Sequence, residues 1–343
     1  MTDDDIFMLR CIELAGNGAG NVAPNPMVGC VIVCEGKIIG EGFHEKFGKA
    51  HAEVNAISSV SDQSQLRHSS LYVNLEPCSH FGKTPPCADL IIEKKIPEVI
   101  IGCADPDPLV AGKGIHRLQS AACKVRTEIL NHECIMLNKR FITFHEKKRP
   151  YILLKWAQTR DGFIAPENKM RANISNEFSR TLMHRWRSEK QAIFVGTNTA
   201  LSDDPQLSAR LWNKNNPVRI VLDRQSILPP GLHLFDHTIP TLVFTEKKKN
   251  REENLEFIQI SFDDALLINI LTILFEKQIQ SVMVEGGAQL LQSFISRGLW
   301  DEARIFIAPA FFSSGVSAPK ISGIKTFEQN IHDDQLVILE NKP

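Results

Sequence analysis

Four side chains early in the sequence have the types and spacing to do chemistry. His51 and Glu53 stand two apart in KAHAEVNAIS (49–58), and Cys78 and Cys87 bracket the segment PCSHFGKTPPC (77–87). Residues two apart on a regular helix point away from each other, whereas those three or four apart are neighbours. The His–Glu pair therefore needs a reason other than an amphipathic face. One imidazole and two thiolates are three ligands of the kind zinc prefers, and three protein ligands leave the fourth tetrahedral position open for water. That stoichiometry belongs to a catalytic site. Zinc brings the pKa of a bound water towards neutrality, and the released proton then needs a carrier to the leaving group. Glu53, at the mouth of a helix, can reach that water without being a ligand. His80, inside the same loop, is the rival nitrogen ligand.

The elements that must hold these groups follow from periodicity. The first part reads as a helix over 3–17 capped by Thr2 or an Asp, a hairpin over 27–44 turning at Glu35-Gly36, and a helix over 52–59. A strand over 70–76, a helix over 86–95, a strand over 98–103, a short helix, a strand over 124–127 and a helix over 131–145 come next. Strands alternating with helices predict a layered α/β sheet covered on both faces. HEKKRP (145–150), polar and ending in proline, reads as a linker. The pattern then restarts, with strands over 151–157, 191–196, 218–223, 241–245, 281–287 and 302–309 and helices over 176–188, 264–277 and 288–297. Two domains are expected, 1–146 and 147–343.

Bulk properties narrow the function class. The 343 residues are enough for two ordinary cores. With 39 Lys+Arg against 40 Asp+Glu, shared evenly between the two halves, no basic track marks a nucleic-acid partner. The acidic start MTDDDIF does not read as a signal peptide, and the apolar run ALLINILTILF (265–275) is too short to cross a bilayer. A cytoplasmic protein without membrane association is expected. Its eight cysteines all lie at or before position 134, and in a reducing compartment they suit buried thiols or a metal site better than disulfides.

HAE followed by PC matches the start of the H-x-E, P-C-x-x-C pattern of zinc deaminases, with the second cysteine arriving late. APNPMVGCVIV, GFHEKFGKAHAEVNAI, LYVNLEPCSHFGKTPPCADLII and GCADPDPLVAGKGI together resemble the deaminase half of the bifunctional riboflavin-biosynthesis deaminase/reductases, the RibD family. The resemblance covers about residues 5–145. It implies a cytidine-deaminase-like three-layer α/β/α domain that hydrolyses the 2-amino group of a diaminopyrimidinone carrying a ribosylamino 5-phosphate. His51, Cys78 and Cys87 would then hold one Zn2+ per chain and Glu53 would shuttle the proton. Asn25, His44, His80 and Lys83 fall at positions of substrate contact.

The second domain has no G-x-G-x-x-G. It does have VEGGAQLLQSFI (284–295), a strand, Gly286-Gly287 and a helix, an arrangement that lets backbone approach a phosphate at the helix N-terminus. LKWAQTRDGFIA and RWRSEKQAIFVGTNTALSDDPQLSAR resemble the reductase half of the same family over about 150–315. That resemblance implies a dihydrofolate-reductase-like α/β domain using NADPH to reduce the ribosyl group to a ribityl chain. Gln158, Thr199, Asp203, Gly286 and Gly287 would contact NADPH, while Arg187, Leu207, Arg210 and Glu285 would meet the substrate, arginine forks being suited to phosphate. The chain departs from the family at Arg160, at Arg171 and at Asn173, where an aromatic residue is usual. The family also implies a homo-oligomer, a dimer or tetramer. A nucleic-acid base deaminase with an accessory domain is the alternative, and it would need the basic track this chain lacks. A non-catalytic protein on a degenerate deaminase scaffold would be expected to have lost Glu53 or a ligand.

Overall fold

The structure, a computed structural model, describes residues 1–81, 85–167, 173–212 and 215–341. They form two compact units, Met1–Lys148 and Arg149–Pro343. Among the described residues, no helix is long and apolar enough to cross a membrane.

The first unit runs α1 (Asp3–Gly16), β1 (Gly29–Cys34), β2 (Lys37–Phe43), α2 (Ala52–Ser59), β3 (Ser69–Leu75) and α3 (Cys87–Glu93). It continues with β4 (Glu98–Cys103), α4 (Lys113–Ser120), β5 (Lys124–Arg126), α5 (Asn131–Leu137) and α6 (Lys139–Lys147). Its sheet has the order β2-β1-β3-β4-β5. The β1 strand pairs antiparallel with β2 and β3, while β3–β4 and β4–β5 are parallel. Alternation along the strands makes two cores. Ile32, Leu71, Val73, Val99 and Ile101 pack on one face with Ala56 and Ile57 of α2, Ile91 of α3 and Leu118 of α4. Val31, Tyr72 and Ile100 face the other way, onto Met8 and Cys11 of α1, Cys134 of α5 and Phe141 of α6. The sheet is thus sandwiched between two helical layers. Thr2 caps α1 in a capping box with Asp5.

Two local expectations are corrected. The helix read over 131–145 is broken at Asn138, whose side-chain oxygen accepts from the Met27 N–H (2.8 Å) and whose amide donates to the Met27 carbonyl (2.9 Å). Of the segment read as a linker, 145–147 are helix, since α6 continues to Lys147, and 148–150 precede the next strand. The polar residues there occupy a half-exposed helix face behind buried Phe141 and Phe144.

The second unit comprises β6 (Tyr151–Thr159), β7 (Phe163–Pro166), α7 (Glu177–Ser188), β8 (Ala192–Val195), α8 (Thr197–Asp203), β9 (Val218–Leu222), β10 (Thr241–Thr245) and β11 (Leu255–Gln259). After these come α9 (Leu266–Glu276), β12 (Ser281–Gly286), α10 (Ala288–Ser296), β13 (Glu302–Ala308), β14 (Gly315–Ser317), β15 (Ile324–Ile331) and β16 (Asp334–Glu340). Nine strands form one sheet, β11-β10-β9-β8-β12-β6-β13-β16-β15, while β7 and β14 pair separately. The strands from β11 across to β13 are parallel and the last two pairings are antiparallel. Strands buried on both faces read as continuous apolar runs, as YILL and SVMV do. Ile152, Phe194, Ile220 and Val282 meet Ile270, Leu274, Leu291 and Phe294 of α9 and α10. Leu153, Ile193, Val221 and Met283 meet Trp186 of α7 and Ala200 of α8.

One contact in the first unit bears directly on its chemistry. A Cβ at Gly114 would stand 2.0 Å from the Pro77 carbonyl oxygen, which immediately precedes Cys78. Gly114→Ala should therefore destabilise the first unit by about 1–3 kcal/mol, the usual penalty for overpacking. Denaturant unfolding followed by a probe in that unit checks this, and an unchanged midpoint would show that the loop can yield.

Candidate functional site

In the first unit, His51 is the N-cap of α2, with extended backbone and a side chain that makes no capping bond. The imidazole is thereby left to the cysteines. Cys78 follows β3 by three residues and Cys87 opens α3. His51 Nδ1 lies 3.3 Å from Cys87 Sγ and 3.6 Å from Cys78 Sγ, and the three ligand atoms all fall within 4.8 Å of one another. The Cys87 backbone N–H donates to Cys78 Sγ at 3.3 Å. Hydrogen bonds from the Cys87 thiol, and then from His51, hold the Cys78 thiol well below its ordinary pKa, as a metal thiolate requires. Glu53, in the first turn of α2, is buried, and that burial together with the charge of Cys78 pushes its carboxyl upward. The donor set suits zinc, with Glu53 alongside and not part of it.

The ligands open into a cavity of about 230 Å³ whose wall includes Asn25, His44, His80 and Glu53. His44 Nδ1 is 2.9 Å from the Ala50 carbonyl oxygen, so that nitrogen carries the proton and Nε2 accepts from the Asn25 amide at 3.1 Å. Burial keeps the ring neutral by lowering its pKa. His80 lines the wall but stands outside the three-ligand cluster. Lys83 lies outside the described residues.

Two acids escaped the sequence reading. Glu76 is buried and accepts from the backbone N–H groups of Asp105 (3.3 Å), Gly112 (3.0 Å), Gly114 (2.9 Å) and Ile115 (3.2 Å). Asp105, also in the cavity wall, has its pKa pushed up to about 7 by burial, with the charges of Asp107 and Glu76 adding to the effect. An acid ending an otherwise apolar strand, SLYVNLE, was the available signal for Glu76.

In the second unit a cleft of about 1100 Å³ opens over the carboxyl ends of β8, β9 and β12, where open α/β sheets take their ligands. Thr199, Asp203, Glu285, Gly286, Gly287 and Asn173 all line it. A Cβ at Gly286 would stand 2.7 Å from Thr199 Cγ2, and Gly287 sits at φ +73°. Glycine is thus required at 286 by the close approach of Thr199 and at 287 by the positive φ, at the start of α10, where backbone N–H groups can meet an anion.

Arg187 and Glu285 are brought together by the fold. Nε and Nη2 of the arginine meet the two carboxylate oxygens at 2.7 and 2.6 Å, and Nη1 donates to the Ser208 carbonyl at 3.0 Å. Burial acts to raise the Glu285 pKa, but Arg187 outweighs it and holds the carboxyl low. Arg210 is exposed beside Ser208, with Nη1 3.2 Å from that hydroxyl, and Leu207 is buried with φ +50°. Gln158 accepts from the Trp156 indole at 2.8 Å. Arg160 donates its backbone N–H to the Ala310 carbonyl at 2.9 Å and is exposed, and Arg171 lies outside the described residues.

The sequence reading also passed over Lys155 and His184. Lys155 lines the cleft, and burial lowers the pKa of its ammonium. A lysine within YILLKWA was the visible clue. His184 is buried, its Nδ1 has no hydrogen-bond partner, and burial, then Arg187 and Arg210, lower its pKa to about 4.

Known proteins carry the same combination. The cytidine and deoxycytidylate deaminase zinc-binding region matches residues 1–103, and the RibD C-terminal domain matches 150–335. Riboflavin biosynthesis protein RibD of Aquifex aeolicus is 40% identical over 96% of this chain and 93% of its own length. The Escherichia coli protein of the same name is 34% identical over 91% and 89%. Among solved structures, a diaminohydroxyphosphoribosylaminopyrimidine deaminase/5-amino-6-(5-phosphoribosylamino)uracil reductase from Thermotoga maritima superposes with a TM-score of 0.91 at 36% identity, covering 99% of both chains. Acinetobacter baumannii RibD gives 0.89 at 31%, again over 99% of both. Similarity of this extent, end to end and in both units, means that the chain belongs to the RibD family.

Proposed function

We infer that this protein carries out two successive steps of riboflavin biosynthesis. The first is hydrolytic, zinc-dependent deamination of 2,5-diamino-6-(5-phosphoribosylamino)pyrimidin-4(3H)-one in the first unit. The second is NADPH-dependent reduction of the ribosyl group to the ribityl chain in the second. The observation that carries the reading is the meeting of His51, Cys78 and Cys87 in one cluster with Glu53 buried beside them.

Zinc held by those three residues supplies a Lewis acid that acidifies water. Glu53 takes the proton from the attacking water and delivers it to the departing amino nitrogen. Ammonia leaves and the ring carbon keeps the oxygen. The Asn25–His44 pair presents a fixed, neutral hydrogen-bonding edge to the pyrimidine, because the Ala50 carbonyl sets the tautomer.

NADPH supplies the hydride that a zinc site has no means to provide. Gly286 and Gly287 admit its phosphates, with Thr199 and Asp203 on the facing helix. Arg187 fixes Glu285 through a two-point fork, Arg210 receives the substrate phosphate, and the proton that accompanies the hydride comes from the Lys155 ammonium, whose pKa burial lowers. Deamination precedes reduction, as the family resemblance implies, and we propose that the enzyme works in the cytoplasm as a homo-oligomer. Incubating purified protein with the diaminopyrimidine phosphate, with and without NADPH, and weighing the products tests the whole scheme. Formation of the reduced product without prior loss of ammonia would reverse the proposed order.

Purified protein should contain about one zinc per chain, and Cys87→Ala should contain far less, as measured by elemental analysis. Full zinc in that variant would remove Cys87 from the ligand set. Glu53→Gln should retain the metal yet release ammonia about a hundredfold or more slowly, the usual effect of losing a general acid/base. Metal loss in Glu53→Gln would make Glu53 a ligand instead.

The two activities should also separate. Glu53→Gln should still reduce an already deaminated substrate, while Arg210→Ala should release ammonia normally and accumulate unreduced product, about a hundredfold impaired in reduction. Asp203→Ala should weaken NADPH binding about tenfold by calorimetry; equal affinity would take Asp203 out of the cofactor site.

A further inference from the structure

The segment that follows β4 forms one wall of the first unit's cavity, where Asp105, Asp107 and Val110 are all lining residues. The bonds within it are local. The Asp107 N–H donates to the Asp105 carboxylate at 2.8 Å, and the Val110 N–H donates to the Asp107 carbonyl at 2.8 Å. Contacts of this kind shape a turn without tying it to the sheet. The helix that comes next also lacks support of its own, because its N-cap, Gly112, sits at φ +74° and brings no capping side chain to α4. The first N–H groups of a helix have no partner inside it.

Glu76 meets both needs from the end of β3. Its Oε2 accepts from the N–H groups of Asp105 and Gly112, the two ends of the wall, while its Oε1 accepts from Gly114 and Ile115 in the first turn of α4. One side chain thus anchors the wall and caps the helix. A carboxylate has about four lone-pair sites on its two oxygens, and four N–H groups occupy them. Glu76 is itself a lining residue, yet it has no acceptor left for a bound molecule, and it stands outside the cluster of His51, Cys78 and Cys87. Its influence on the cavity must pass through the backbone that it holds.

We propose that Glu76 is a positioning residue for the deamination, holding the wall of Asp105, Asp107 and Val110 at the spacing the pyrimidine needs while touching neither substrate nor metal. The inference rests on the reading of this cavity as the deaminase site. The amino groups of a diaminopyrimidine are hydrogen-bond donors, so the placement of the acidic acceptors on this wall decides how well the ring is held. A displacement of about 1 Å in such a contact can cost about a hundredfold in rate.

Ammonia release from the diaminopyrimidine phosphate by the zinc-loaded full chain tests this, with kcat and KM measured well below the thermal midpoint of each variant. Glu76→Gln is nearly isosteric, but its amide nitrogen donates, so one of the two pairs of N–H groups loses its acceptor. It should keep about one zinc per chain by elemental analysis and show KM raised about tenfold or more. Reduction of an already deaminated substrate should be unchanged, which provides a control within the same chain. A purely structural role gives a different result, because partial unfolding reduces the amount of active enzyme, and so kcat, while leaving KM where it was. Glu76→Asp keeps the carboxylate on a shorter stem and should fall between the native protein and Glu76→Gln; it carries the test alone if Glu76→Gln does not fold. Native KM in the folded variants overturns the proposal, and so does loss of zinc from them, which would place the effect on the Cys78 loop. Native protein that releases no ammonia from this compound would sink the reading of the cavity, and the proposal with it.

Discussion

Much of the first unit is organised by one buried carboxylate. Glu76, at the end of β3, satisfies four backbone N–H groups of the 105–115 segment, and its own N–H donates to the Cys103 carbonyl at 3.0 Å. An anion removed from water is tolerated only where hydrogen bonds replace its hydration. Those same bonds fix the segment against Pro77, one residue before Cys78, at a spacing that leaves no room for a Cβ at Gly114. The ligand loop, the Asp105 wall of the cavity and the start of α4 are thus set by a single side chain. Taking away the carboxylate would leave those donors buried and unpaired, each costing about 1–3 kcal/mol.

The second unit answers a comparable demand with a charge pair. Arg187 and Glu285 neutralise one another inside the cleft, and removing either would strand the other at a cost of about 3–5 kcal/mol. A rigid pair with fixed geometry offers a substrate little reorganisation. The other wall of the cleft depends instead on absence of bulk: Thr199 packs so closely on Gly286 that a side chain there would collide with it, and Gly287 has a positive φ. One site is thus shaped by a network of donors around an anion and the other by a fork and a gap.

The sequence disclosed the parts whose physics is local. His51, Glu53, Cys78 and Cys87 were legible because ligand chemistry and spacing are written in the chain, and the hairpin at Glu35-Gly36 because a left-handed turn leaves its own mark, with φ +49° and +74°. Partners distant in sequence were not legible. Nothing near position 187 announces Glu285, and nothing near 76 announces the amides of 112–115. The break at Asn138 depends on Met27, far upstream. The small α8 buries only Ala200, too little to create a period, and the outer strand β15 is exposed along nearly its whole length, so its residues carry no alternation. Lys155 and Glu76 were readable in principle, as charges within apolar strands.

The strand order has a consequence for how the chain is made. In the second unit β6 is synthesised first, yet it lies between β12 and β13, which are among the last strands to be made. At about 5–20 residues per second on the ribosome, the apolar segment YILLKWA must wait for both neighbours while the whole of α7 to α9 is translated. The first unit has all five of its strands by Arg126 and can close without that delay. Long-range parallel pairing is slow in itself, so the nascent reductase half is the portion most exposed to aggregation, and it passes through that interval tethered to a partner already folded.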